Sequence, residues 1–217
     1  MSKAVNYSMA NRGSVARFLP ARDLNAEESR LLGLMREKAR KRQDSLDAQG
    51  VDWGLSVHDA LEELIDGRAD STAEYAGSAY YAALQIVIDH NASDADTLAS
   101  YRSPVTLFSA LDDALSAAGV PADLLAFQYI YSGPPSEIGF RLPRPPEGSP
   151  EIGCWPLAIA GQAVDAYRAV LDRIDLDLRY DLEELIKALD SWSSDWNEGR
   201  GAWWWAEDGS LFFSIVG

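Results

Sequence analysis

The sequence has few of the residues that build disulfides and metal sites. Its 217 residues include one cysteine, Cys154, and two histidines, His58 and His90. A single cysteine excludes an internal disulfide and fits a reducing compartment. Neither histidine has a zinc-ligand spacing, and the acidic segment 89–96 lacks the glycine and glutamate of a calcium loop. A helix end followed by a capping aspartate explains that segment, so we expect no metal and no cofactor.

Motifs for nucleotide binding, hydrolysis and membrane insertion are also missing. The sequence contains no Gly-x-Gly-x-x-Gly, Walker A or Gly-x-Ser-x-Gly pattern. No stretch approaches the length of about 18 apolar residues that a membrane helix needs, and the first residues do not form a signal peptide. We therefore expect a cytoplasmic protein, and no catalytic residue is assigned.

Positive charge is scarce. There are 34 acidic residues against 19 basic ones, which leaves a net charge of −15 and a pI near 4.4. Such a field repels nucleic acid and anionic membranes and favours a basic partner, although acidity also serves solubility alone. The basic residues are concentrated at 30–42, where they form a solvated face, dock on the protein's own acids, or meet an anionic partner.

Helical periodicity covers most of the chain. Hydrophobic spacing defines six segments. The start signals are Asp23 or Asn25, Ser56, and Ser103-Pro104, and the stop signals are Gly50, Gly67 and Gly119. The predicted helices span 26–48, 56–66, 71–90, 103–118, 157–174 and 180–197.

Strand patterns occur at both ends of the chain and once inside it. Residues 3–9 and 126–131 alternate, and 202–206 with 210–216 flank Glu207-Asp208-Gly209 as a hairpin would. A chain of 217 residues with this composition is in the usual range for one domain. We therefore predict an α+β fold: a helix-rich single domain over 1–217, with a small sheet that includes the N- and C-terminal strands.

A long proline-rich loop is predicted at 132–156. Seven of the chain's ten prolines lie there, which excludes regular structure over most of its length. A loop of this length in one domain is commonly functional or wraps the surface, and both interpretations stay open.

Tryptophan is in excess near the C-terminus. The chain has seven, and five fall within fourteen residues. Neighbouring strand residues face opposite sides, so Trp203, Trp204 and Trp205 do not all enter one core. Exposed tryptophans among acids suit a basic protein, which suggests a non-enzymatic binding module of inhibitor or immunity type. The candidate binding residues are Trp155, Trp192, Asp195, Trp196, Trp203, Trp204, Trp205 and Asp208.

The competing hypothesis is a ligand-binding domain or a small enzyme. Tyr80, Tyr129 and Trp155 with an acidic residue would line a pocket between helix and sheet. A raised carboxyl pKa in a deep pocket would favour this hypothesis. Tryptophans packed under neighbouring helices would weaken the binding-module hypothesis.

Several local patterns together resemble a known family. The proline-rich loop is followed by Ile152-Gly153-Cys154-Trp155, a helix with Ala166-Tyr167-Arg168, and the apolar C-terminus 211–217. With Ala60-Leu61 and the Tyr80-Tyr81-Ala82-Ala83-Leu84 run, this arrangement is similar to the actinobacterial DUF7691 group and, more distantly, to YfbM-like DUF1877 proteins. The resemblance implies an α+β fold and brings no activity with it.

Overall fold

The computed structural model describes residues 2–146, 151–198 and 208–216, with side chains throughout except at 195–198. Within these ranges it contains eight α-helices and four β-strands. Short 3-10 turns lie at Ala122–Leu124, Ser136–Ile138 and Leu171–Arg173. The elements are β1 (Lys3–Asn11), α1 (Arg12–Ala16), α2 (Ala26–Ala48), α3 (Val57–Ile65), α4 (Ala76–Asn91), β2 (Asp96–Tyr101), α5 (Pro104–Ala117), α6 (Phe127–Ile130), β3 (Glu151–Pro156), α7 (Leu157–Val170), α8 (Leu176–Glu198) and β4 (Gly209–Val216).

The four strands form one antiparallel sheet in the order β2-β1-β4-β3. The C-terminal strand β4 lies beside the N-terminal strand β1, with pairs running from Ala4 and Val216 to Asn11 and Gly209. Its other edge pairs with β3, from Glu151 opposite Ile215 onward. The predicted α+β domain with terminal strands in its sheet is confirmed.

Helices cover both faces of this sheet. Phe212 of β4 points into a core built with α1 to α4, whereas Leu211, Phe213 and Ile215 join a second core built with α5 to α8. Successive strand residues face opposite sides, so β4 is buried on both. This explains why its sequence is almost continuously apolar rather than alternating.

Capping explains where the best predicted helices begin. The Asn25 side chain accepts the N–H groups of Glu27 and Glu28 at 2.9 Å each, and Glu28 accepts the Asn25 N–H at 2.8 Å. Ser56 accepts the Asp59 N–H at 2.9 Å at the start of α3. These bonds satisfy amides that a helix leaves unpaired at its first turn. The predicted starts of α2 and α3 are confirmed.

The basic segment of α2 docks in part on the protein's own acids. Arg36 donates from Nε and Nη2 to the two carboxylate oxygens of Glu62 at 2.7 and 2.8 Å. Lys41 lies 2.6 Å from Glu37 one turn away. The Arg36 guanidinium bonds hold the pKa of the Glu62 carboxyl below its usual range. Of the three interpretations of this segment, docking on the protein's own acids therefore applies to Arg36.

The strand predicted at 126–131 is wrong, because these residues form the short helix α6. The carboxylate of Asp112 accepts the N–H of Ala126 at 2.8 Å and that of Phe127 at 3.1 Å. A cap supplied from α5 thus starts a helical turn in a segment whose residue types favour a strand. The cap comes from a residue fourteen positions away, so local pattern does not reveal it.

Two strands were not predicted. β2 covers Asp96–Tyr101, where an aspartate cap was expected, and β3 occupies the end of the predicted loop 132–156. Of the predicted hairpin, 210–216 is present in β4, and 202–206 lies outside the described residues. Both are edge strands, and β3 contains a glycine and ends in a proline, which weaken its strand pattern.

Gly153 supports a testable prediction, since β3 meets α6 there without space for a side chain. A Cβ at Gly153 would overlap the carbonyl groups of Tyr129 and Ile130, which are backbone atoms. We expect Gly153→Ala to lower the free energy of unfolding by about 1–3 kcal/mol, measured by urea denaturation.

Gly33 provides the matched control. It is exposed within α2 and has nothing within 4 Å of an added Cβ. Gly33→Ala should raise the free energy of unfolding by about 0.5–1 kcal/mol through helix propensity. Equal effects of the two substitutions would contradict the close packing of β3 on α6.

Candidate functional site

A groove of about 1190 Å³ lies beside the outer edge of β3, where the two helical layers meet. One wall comes from α4, another from α5 and α6, and the third from the proline-rich segment, which we define as residues 132–146. The side chains that line the groove include Tyr81, Val105, Phe127, Tyr131, Phe140, Arg141, Arg144 and Glu151.

The proline-rich segment is attached to the free edge of β3. Gly133 donates its N–H to the Ile152 carbonyl at 3.0 Å, and Ser132 Oγ accepts the Cys154 N–H at 2.8 Å. Gly133 has a φ of +81°, a backbone conformation that suits glycine. These bonds satisfy edge groups that would otherwise be open to another strand.

The far end of the segment is held by α1 and α4. Glu137 pairs with Arg12 at 3.1 Å, and the side chains of Ile138 and Leu142 are buried in the core of α1 to α4. At Gly77 of α4, an added Cβ would lie 2.5 Å from the Arg144 carbonyl oxygen. The backbone that carries Arg144 is therefore seated directly on the helix, so this wall of the groove is preformed.

Glu151 is the carboxyl group of the groove. It is partly buried at the first position of β3, and this burial raises the pKa of Glu151 against the opposing charges of Lys3 and Arg144. Burial also raises the pKa of Tyr81 and of Tyr131, and in each case the charge of Glu151 adds to the effect. We call Tyr81, Tyr131, Arg144 and Glu151 the groove cluster.

Within the groove cluster, the Tyr131 hydroxyl is the one that is shielded from solvent and has no hydrogen-bond partner among the described residues. Its ring stacks on Phe127 with centroids 4.6 Å apart and planes at 23°. The hydroxyl oxygen has no hydrogen-bond partner among the described residues. Leaving a buried polar group unbonded costs about 1–3 kcal/mol, so a site with such a group gains when a polar atom reaches it.

Two arginines give the groove positive charge. Arg141 and Arg144 are both exposed, and neither makes an ion pair or hydrogen bond with another described residue. A guanidinium presents a planar set of donors that fits carboxylate, sulfonate or phosphate oxygens. The arrangement is able to bind an anionic group beside aromatic and proline surfaces.

The pocket predicted from Tyr80, Tyr129 and Trp155 does not form. Tyr80 is buried in the core of α1 to α4, where its hydroxyl donates to Glu63 and accepts the Ser71 N–H at 2.9 Å. Trp155 is fully buried in the other core and stacks on Tyr129 with centroids 4.7 Å apart. The sheet separates the two groups, so that set of lining residues is wrong, and Trp155 contributes nothing to an exposed surface.

The other predicted binding residues are only partly described. Trp192 is half-buried against the core of α5 to α8, and Asp208 accepts the Gly13 N–H at 2.5 Å at the start of α1. The Asp208 carboxylate therefore supports a helix start. Trp203, Trp204, Trp205 and the side chains of Asp195 and Trp196 lie outside the described residues, so the tryptophan surface stays a prediction.

Sequence reasoning missed the whole groove cluster. The sequence pattern predicts Tyr81 within a buried helix, Tyr131 within a strand, and Arg144 and Glu151 within a loop. The proline-rich loop is the one sequence signal for this region, and it does not identify the side chains that the loop faces.

Within the described ranges, no three potential ligands gather as a metal site would require, and no helix has the length and apolar composition to cross a bilayer.

Comparison with known proteins agrees with the sequence resemblance. The DUF7691 family, described as a domain of unknown function, matches residues 1–214. No curated protein and no solved structure matches the chain.

Glu151→Gln tests the electrostatics of the groove cluster. The pKa of Glu151 is raised above its ordinary value of 4.5, so the folded protein holds this proton more tightly than the unfolded chain does. The free energy of unfolding of the wild type therefore falls as the pH rises from below 4.5 through the raised pKa. A glutamine side chain does not titrate, so the Glu151→Gln variant lacks this loss of stability. We expect it to be more stable than wild type at neutral pH, with a difference that shrinks in acid, as measured by thermal denaturation across pH.

The control for this experiment is Glu74→Gln, which changes an exposed carboxyl outside the groove. It makes the same chemical change without the burial. A glutamine at 151 that destabilises the protein at neutral pH, or a difference that does not vary with pH, would contradict the burial of this carboxyl.

Proposed function

This chain belongs to the DUF7691 family, and we propose that it binds a small organic ligand in the groove beside β3. The observation that carries the proposal is the convergence of the groove cluster on a preformed groove with aromatic and proline walls. Ligand sites are concave and mostly apolar, with a few placed polar groups that set orientation. The groove is concave and carries placed polar groups, and aromatic and proline side chains form part of its lining.

The size of the groove supports a ligand rather than a single ion. Its volume of about 1190 Å³ is slightly above the range of about 300–1,000 Å³ that is usual for small-molecule sites. Its walls are held by backbone contacts at Gly77 and Gly133. A preformed site loses less free energy to ordering when a ligand binds.

Binding without chemistry is the activity that these residues support best. A carboxyl with a raised pKa suits proton transfer, but acid–base catalysis commonly uses a second group that titrates in a useful range. Glu151 is the only carboxyl among the described residues that line the groove, and no histidine or cysteine joins it there. The guanidinium groups of the two arginines supply donors that bind an anionic group.

Val105→Trp tests the proposal by filling the groove. Val105 lines it and is 48% exposed, so a tryptophan there adds bulk with little change to the core. We expect wild-type protein, dialysed against a protein-free metabolite extract, to retain at least one compound that the variant does not, as identified by mass spectrometry.

Leu34→Trp is the matched control, because Leu34 is similarly exposed on α2 and does not line the groove. It should retain the same compound as wild type. If no compound distinguishes wild type from Val105→Trp, groove binding is contradicted.

A second candidate function, binding to a basic protein, is supported by the net charge of −15. Part of the basic segment is already paired internally, since Arg36 binds Glu62 and Lys41 binds Glu37. The long-range field therefore favours cationic partners.

The single cysteine also supports a cytoplasmic location, where thiols stay reduced.

Trp204→Ala tests this second function in a pull-down from lysate of the source cells. We expect a basic protein to be retained at low salt, released at high salt because charge is screened, and retained less by the variant. Tyr180→Ala is the control, since Tyr180 is an exposed aromatic residue on α8. Retention that neither salt nor Trp204→Ala reduces would contradict an acidic tryptophan surface as the binding site.

A further inference from the structure

We infer that the groove selects organic anions: ligands with a flat apolar body and a carboxylate, sulfonate or phosphate group that binds Arg141 and Arg144. This inference rests on the proposed function and specifies the class of ligand. It is carried by the placement of the two arginines within the groove and by the aromatic residues that line the same groove.

The charge of the groove is opposite to that of the protein. The chain as a whole carries −15, whereas among the described residues the charged side chains that line the groove are Arg141, Arg144 and Glu151. The two arginines outnumber this carboxylate. A local excess of positive charge in an acidic protein favours binding of an anion in the groove over binding elsewhere on the surface.

The groove arginines are not engaged in ion pairs with described residues, in contrast to five other arginines of the described chain. Arg141 and Arg144 have no ionic partner among the described residues. Their guanidinium donors are therefore free for a ligand. The arginines that do pair with carboxylates in the described ranges are Arg12, Arg17, Arg36, Arg68 and Arg168.

The backbone around these arginines is held in place before any ligand arrives. Pro143 and Pro145 flank Arg144 and restrict the chain there, and Gly77 lets the Arg144 backbone lie against α4. A charge carried on a fixed backbone needs less ordering on binding than one on a mobile loop.

Aromatic groups supply the apolar part of the site. The stacked rings of Phe127 and Tyr131 lie on the wall formed by α6, and Phe140 lies on the proline-rich segment. Flat rings bury a large area against a planar ligand. The combination matches an aromatic acid better than a sugar or a simple ion.

Two fluorescent dyes that share one aromatic body test the inference. Anilinonaphthalenesulfonate carries a sulfonate, and N-phenylnaphthylamine is the neutral counterpart. Each is titrated into wild type, Arg141→Gln, Arg144→Gln and Val105→Trp at one ionic strength. We expect each arginine substitution to weaken binding of the sulfonate by about tenfold and to change binding of the neutral dye by less than about twofold.

Arg173→Gln controls for the change in net charge. Arg173 is exposed on the turn that follows α7 and does not line the groove. It should leave both dyes unaffected. Equal weakening by Arg173→Gln and Arg144→Gln would mean that overall charge, not the groove, sets the affinity, and would overturn the inference.

The remaining outcomes separate the inference from the proposed function. If both dyes bind, Val105→Trp blocks them, and the arginine variants affect neither, the groove binds ligands without selecting anions, and only the inference fails. If Val105→Trp changes binding of neither dye, the groove is not their site, and the proposed function fails together with the inference.

Discussion

β4 has a bonded strand along each edge and a helical layer on each face. Its pairing with β1 and β3 places the two ends of the described chain at the centre of the sheet. Its side chains enter both cores, with Phe212 on one side and Phe213 on the other. Both helical layers are therefore positioned by one strand. Burial on two faces leaves little freedom in register, because a shift of one residue would exchange the side chains between the cores.

The groove follows from the way the sheet ends. β3 is an edge strand, and the protein closes its free edge with the Ser132 hydroxyl and the Gly133 backbone rather than with another strand. A proline-rich segment is unable to continue a ladder, so it leaves the sheet and crosses to α4, where Gly77 receives it. The space between this crossing segment and the helices is the groove. Protection of an edge and formation of a site thus have one structural cause.

The fold was largely predictable because its signals are local. The cap at Asn25 and the cap at Ser56 start α2 and α3, and the apolar run of β4 indicates a buried strand. The failures occurred where a distant residue decided the local conformation. At 126–131, the Asp112 carboxylate caps a helix in a segment that favours a strand. β2 and β3 are short edge strands whose identity depends on the partners beside them.

The sequence by itself determined the class of fold, most helix positions, the family and the overall negative charge, because composition, periodicity and capping act over a few residues. Only the tertiary structure decided the site. Tyr81, Tyr131, Arg144 and Glu151 come from four separate places in the chain, and no spacing relates them. The structure also divided Tyr80 from Trp155, since α4 packs on one face of the sheet and Trp155 of β3 points to the other face. A site assembled from distant segments exists only once the chain has folded.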